Sequence, residues 1–142
     1  MPTDESMAVV RRDIETVWNE ADLEAIADLV TEDFVYYNPM VTEDVEGPEG
    51  YRWLVENFRG AMSDFEMETE SMVADDTTVA TRFRTTGTHD GELLGVEPTG
   101  AEISVTGMMF DRIEDGRLSE RYVNDDALGF MRQLGLVDQG SF

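Results

Sequence analysis

The run GRLSERYVNDDALGFMRQLGL (116–136) reads as a strand passing into a short helix, with Asp125 and Asp126 at the junction. Its phase comes from the segment before it. Residues 103–113 and 118–126 flank Asp115-Gly116, and Asp-Gly is a strong hairpin signal because both central residues of the tight turn take positive φ. A two-residue turn pairs Ile113 with Leu118, Met109 with Tyr122, Gly107 with Asn124 and Val105 with Asp126. Side chains alternate across a strand, so one face then carries Ile103, Val105, Gly107, Met109, Ile113, Leu118, Tyr122, Asn124 and Asp126. That face is apolar along most of its length and polar at one end, the pattern of a pocket wall with a reactive rim. Asp126 is the first candidate for acid/base chemistry, with a helix N-cap as its structural alternative. Asp125, of opposite parity, reads as cap or surface.

Upstream, Phe65, Met67, Thr69, Ser71 and Val73 alternate with acids, and Val79, Thr81, Phe83, Thr85, Gly87 and His89 continue the alternation on a return strand. Residues 90–102 read as a long loop whose Leu93-Leu94 pair could cover a pocket mouth. The period is helical at the start of the chain. Met7, Val10, Ile14, Val17, Trp18 and Ala21 share one face of a first helix, and Leu23, Ile26, Leu29 and Val30 mark a second. Phe34 to Asn38 is extended and stops at Pro39, after an acidic, exposed loop (40–47) Gly47-Pro48 opens a third helix with Tyr51, Leu54, Phe58 and Met62 on one side, and Ala127 to Leu134 closes the chain as a short helix. The order predicts an α+β fold in which a curved antiparallel sheet wraps the N-terminal helices as a cone with a central pocket, in a single domain spanning 1–142.

Antiparallel pairing of the strand ending at His89 with the one starting at Ile103 brings His89 to the same end of the sheet as Asp126. An imidazole and a carboxyl would then face one apolar space, with Asn38, Tyr122, Asn124, Met109, Phe83 and Trp18 as candidate pocket residues. A carboxyl in such surroundings has its charged form disfavoured, which suits it to proton transfer near neutrality. The alternative for His89 is a hydrogen bond that fixes its loop; for Asn38, a turn residue before Pro39.

Composition narrows the classes. The 142 residues are 41% hydrophobic, enough for a sizeable core, and include no cysteine and one histidine, so disulfides, a thiol nucleophile and a multi-histidine metal site are excluded. Thirty-two acidic residues face ten arginines and no lysine, a formal charge of −22. Nucleic-acid binding is disfavoured, since phosphate contacts need clustered positive charge. The acids are spread between apolar positions rather than blocked together, which reads as a solvated surface suited to a salt-rich cytoplasm, where molar salt shortens the Debye length to roughly 3 Å. No run is long enough to span a membrane, and MPTDESM lacks the apolar core of a signal peptide, so the expectation is a cytoplasmic protein.

The element order, with FVYYNP (34–39), GTHDGELLGVEPTG (87–100) and GMMFDRIEDGRLSERYVNDDALGFMRQLG (107–135), resembles the SnoaL-like polyketide (ester) cyclase family. That family shares a cone-shaped α+β fold with nuclear transport factor 2 and ketosteroid isomerase. The resemblance implies acid/base chemistry without metal or cofactor, an aldol-type ring closure or proton abstraction beside a carbonyl. By motif the family's aspartate falls on Asp126, its histidine on His89 and its polar residue before proline on Asn38, while Tyr122 stands where tryptophan is common. The implied partners are a small apolar carbonyl-containing ligand and a second copy of the chain. The moderately apolar outer face, with Met108, Phe110 and Val123, fits a homodimer. A ligand-binding or dimeric interaction module without catalysis is the alternative reading of the same fold.

Overall fold

A computed structural model describes residues 3–138. The first helix, α1 (Thr3–Arg12), continues into a π-helical segment (Asp13–Asn19). The wider turn puts Asp13, Ile14, Val17 and Trp18 on one buried face. A 3-10 turn (Leu23–Ala25) and α2 (Ile26–Leu29) lead to β1 (Val30–Tyr37), then β2 (Val45–Glu46), α3 (Gly47–Ala61), β3 (Glu66–Ala74), β4 (Thr78–Thr88), β5 (Glu102–Glu114), β6 (Arg117–Asp125) and α4 (Ala127–Gln133). Val45 is buried, so the loop expected to be exposed contributes a short edge strand.

The six strands form one curved, open sheet in the order β2-β1-β6-β5-β4-β3. Neighbours are antiparallel except β1 and β6, which run parallel. Buried apolar side chains from Val10 to Leu134 form a single cluster between the concave face and the helices. In β5 buried and exposed residues alternate without a break, so Ile103, Val105, Gly107, Met109 and Ile113 point inward as the sequence predicts, joined by Asp111. Among the described residues no helix is long and apolar enough to cross a membrane.

The Asp115-Gly116 turn has φ of 50° and 78°, and it pairs Ile113 with Leu118 as expected. Beyond that pair the expected register fails. Arg112 pairs with Glu120, leaving Ser119 as an extra residue, so Met109 meets Val123 and Gly107 meets Asp125. A bulge of one residue turns every later side chain to the opposite face. Arg121, Val123 and Asp125 therefore point inward, while Tyr122 and Asn124 point out.

Candidate functional site

Beneath the helices the concave face holds a cavity. It is a narrow slot of about 60 Å³. Trp18, Phe58, Phe65, Phe83 and Phe130 form much of its wall, with Met40, Met62, Met67 and Met109 between them. Methionines are flexible and polarizable, so such a wall can adapt to a ligand pressed against it. The polar lining residues are Tyr36, Thr85, Arg121 and Asp125.

Asp125 sits at the end of β6, where strand pairing stops and a carboxylate can be reached from the slot. Its Oδ2 accepts a hydrogen bond of 2.9 Å from Asn38 Nδ2. Among the described residues no donor is directed at Oδ1. Gly107, opposite on β5, makes room: a Cβ there would lie 2.6 Å from Asp125 Oδ1 and 2.6 Å from Phe83 Cζ. Burial pushes the Asp125 carboxyl above its ordinary value of 3.8, opposed by the Asn38 hydrogen bond.

Asn38 is held from three sides. Its Nδ2 also donates to Tyr36 Oη at 3.0 Å, its Oδ1 accepts from Met40 N at 2.9 Å, and its carbonyl accepts from Val41 N at 2.9 Å. Phe34, Tyr36 and Asn38 are all buried, a period of two that carries β1's inward face past its last strand residue.

A second polar group lies deeper. Arg121 is buried, with Nη1 donating to Asp13 Oδ2 and to Tyr51 Oη, each at 2.8 Å, and with Nε and Nη2 donating to the two oxygens of Asp111. Tyr51 Oη donates to Asp13 at 2.8 Å and accepts from Trp18 Nε1 at 2.7 Å. Burial alone would lower the Arg121 pKa; Asp111, Tyr51 and Asp13 outweigh it, and the guanidinium stays charged. The cluster ties α1's π-helical extension, α3, β5 and β6 together beneath the slot.

The predicted residues divide between the slot and other places. Trp18, Phe83 and Met109 line the slot, and Asn38 touches Asp125 from behind. Tyr122 and Asn124 are exposed on the outer face, a consequence of the bulge at Ser119. Asp126 is exposed and caps α4, its Oδ1 accepting from Gly129 N at 2.9 Å. His89 is buried at the inward end of β4 but is not among the slot's lining residues. Its Nδ1 accepts from Thr99 N at 3.2 Å and lies 3.0 Å from Thr99 Oγ1, and its backbone pairs with Ala101 and Gly100. These bonds close the 90–100 loop and do not bring His89 to a shared chamber with Asp126. Leu93 is buried in that loop and Leu94 exposed, and neither lines the slot. Sequence reasoning missed Asp125, Tyr36, Arg121, Asp13 and Asp111. Parity was an available signal for Asp111, which alternates with Met109 and Ile113, and for Tyr36, which alternates with Phe34 and Asn38. Among the described residues no group of three or more His, Cys, Asp or Glu side chains is arranged to hold a metal ion.

A family model described as SnoaL-like polyketide cyclase matches residues 8–134. The chain belongs to the SnoaL-like polyketide cyclase family. Solved structures agree in fold. A candidate SnoaL-like polyketide cyclase from Jannaschia sp. CCS1 superposes with a TM-score of 0.86 at 22% identity, over 96% of this chain and 95% of that one. AclR, a candidate hydroxylase from Streptomyces galilaeus, is 28% identical with a TM-score of 0.83, over 97% of this chain and 85% of its own. IdmH, a candidate polyketide cyclase from Streptomyces antibioticus, is 27% identical with a TM-score of 0.79, over 92% and 98%. No curated protein matches the sequence significantly.

Proposed function

We propose that this SnoaL-like chain performs acid/base chemistry on a small apolar carbonyl compound without a cofactor, with Asp125 as the base that removes a proton from the carbon next to the carbonyl. The observation that carries this is Asp125 at the polar end of a slot otherwise walled by aromatic and methionine side chains, one oxygen held by Asn38 and the other without a donor. A carboxylate whose pKa is raised by burial is a better base than one in water, and its position is fixed before the ligand arrives. The enolate so formed can close a ring by attack on a second carbonyl or take its proton back elsewhere. Membership of the cyclase family supports the former.

The test uses planar bicyclic ketones, 2-tetralone first, in D2O, with exchange at C1 followed by proton NMR. Asp125→Asn is expected to bring exchange down to the buffer rate. Asp126→Asn, which keeps a cap oxygen for Gly129 N, is expected to leave it within about threefold of the wild type with little change in stability. The reverse ranking would return the chemistry to Asp126 and end this assignment.

The same reading includes a homodimer formed through the outer face of the sheet. The register places Tyr37, Tyr122, Phe110, Ala80 and Val73 in one row across five strands. Four of these are 46%, 47%, 59% and 65% exposed (Tyr37, Tyr122, Phe110 and Val73), an uncommon apolar stripe for so acidic a chain. Tyr37 and Tyr122 stack with centroids 4.6 Å apart, which presents a flat aromatic surface to a second copy.

A further inference from the structure

The Asn38 side chain does more than hold Asp125. A primary amide has two N–H groups, and here one goes to Asp125 Oδ2 and the other to Tyr36 Oη. The Tyr36 oxygen is therefore an acceptor in that bond, and its own proton must point away from Asn38. Among the described residues no acceptor receives it. Tyr36 is 8% exposed and lines the slot, so the open direction for that proton is the slot itself. Burial pushes the phenol's pKa well up, which keeps it a donor at neutral pH rather than a second base.

The other strong donor in the wall is Arg121, whose guanidinium is bracketed by Asp13 and Asp111. Its Nε, Nη1 and Nη2 already donate to Asp111, Asp13 and Tyr51. Trigonal geometry at Asn38 Nδ2 sets Tyr36 Oη and Asp125 Oδ2 on the order of 5 Å apart. That span suits an oxygen and a hydrogen carried on neighbouring carbons.

Resting on the reading of Asp125 as base, we propose that Tyr36 is the donor that receives the substrate's carbonyl oxygen. In the step, an Asp125 oxygen takes the proton from the carbon beside the carbonyl. The C–H pair becomes the C=C bond of the enolate, and the carbonyl π pair moves onto oxygen. Tyr36 Oη–H stabilises that oxyanion by hydrogen bonding and keeps its own proton. Asn38 is a positioning residue that fixes donor and base relative to each other.

The experiment is the 2-tetralone exchange with Tyr36→Phe, which keeps the ring and removes the hydroxyl. The rate at saturating ketone is expected to fall about 10²- to 10³-fold, the effect of deleting one oxyanion donor, with half-saturation little changed. Infrared spectra of bound 2-tetralone labelled with 13C at the carbonyl supply a readout that a packing role would not move. The C=O band is expected at lower frequency in the wild type than in buffer, and back near the buffer value in Tyr36→Phe. Should Tyr36→Phe fail to fold, the wild-type band alone decides, and an unshifted band overturns the assignment. A Tyr36→Phe rate within threefold of the wild type, while Asp125→Asn falls to the buffer rate, removes Tyr36 and leaves Asp125 standing. A wild type no faster than buffer on 2-tetralone, 1-tetralone and 2-indanone removes both.

Discussion

Arg121→Met is the most demanding perturbation of the charge cluster beneath the slot. The substitution keeps an unbranched, similarly sized side chain but removes four hydrogen bonds: one to Asp13, one to Tyr51 and two to Asp111. Asp13 retains Tyr51, whereas Asp111 keeps no donor among the described residues. Both carboxylates are 0% exposed, so neither can recover hydration without opening the core. Removing one partner of a buried ion pair costs about 3–5 kcal/mol, mainly from the uncompensated charge left behind. At about 2.1 cal/mol/K per residue for the 142-residue chain, unfolding entropy is about 0.3 kcal/mol/K, so the loss corresponds to a fall in Tm of about 10–17 °C. The assay is urea denaturation at pH 7 in molar salt, where surface repulsion is screened. The sign with pH is fixed. Burial raises the Asp111 carboxyl and without Arg121 nothing opposes it, so its penalty is present above its folded-state pKa and is relieved as pH falls through it. The Arg121→Met deficit should therefore shrink toward acid, and replacing Asp111 by Leu and Asp13 by Asn in the same chain should recover much of it. A loss below about 1 kcal/mol, or a deficit that grows on acidification, would refute the reasoning.

Three further outcomes follow from other parts of the molecule. Gly107→Ala puts a methyl 2.6 Å from Asp125 Oδ1 and Phe83 Cζ, so 2-tetralone exchange should drop at least about tenfold, with about 1–3 kcal/mol of overpacking seen in denaturation; unchanged exchange would mean the carboxylate does not depend on that space. The charge of −22 should make folding salt-dependent, with circular dichroism showing loss of structure below about 0.5 M salt as screening weakens, and undiminished stability in dilute buffer would contradict it. Phe110→Glu, in the centre of the outer apolar row, should convert dimer to monomer in sedimentation, and a wild type already monomeric would end that part of the proposal.

Much of the fold was readable because its signals are local. The Asp115-Gly116 turn, the alternation of β4 and β5, Pro39 after β1 and Pro48 at the head of α3 each depend on neighbouring residues. The site was harder because its decisive feature is a single bulged residue. Nothing in Leu118-Ser119-Glu120 marks Ser119 as extra. Without the bulge, Tyr122, Asn124 and Asp126 make a plausible inner face. With it, that face is Arg121, Val123 and Asp125, which looks too polar until Asp13 and Asp111 are seen around the guanidinium. Those partners lie on α1's π-helical extension and on β5, and pairing at that separation leaves no trace in a local window. Asp126 caps α4 and takes its pocket role only from parity counted in the wrong register; His89 does lie on the inward side as its β4–β5 parity gives, but it meets the 90–100 loop there and not Asp126.

The claim on which the rest depends is that Asp125 is a pre-positioned, desolvated base facing the slot. Carboxyl 13C resonances followed by NMR across acid pH, with Asp125 assigned by its loss in Asp125→Asn, address it directly. The expected result is an Asp125 midpoint above 3.8, rising further in Asn38→Leu because the hydrogen bond that favours the charged form is gone, with 2-tetralone exchange increasing with pH through the same midpoint. An Asp125 that titrates at or below 3.8, and does not respond to loss of Asn38, would show a carboxylate in water and contradict the account.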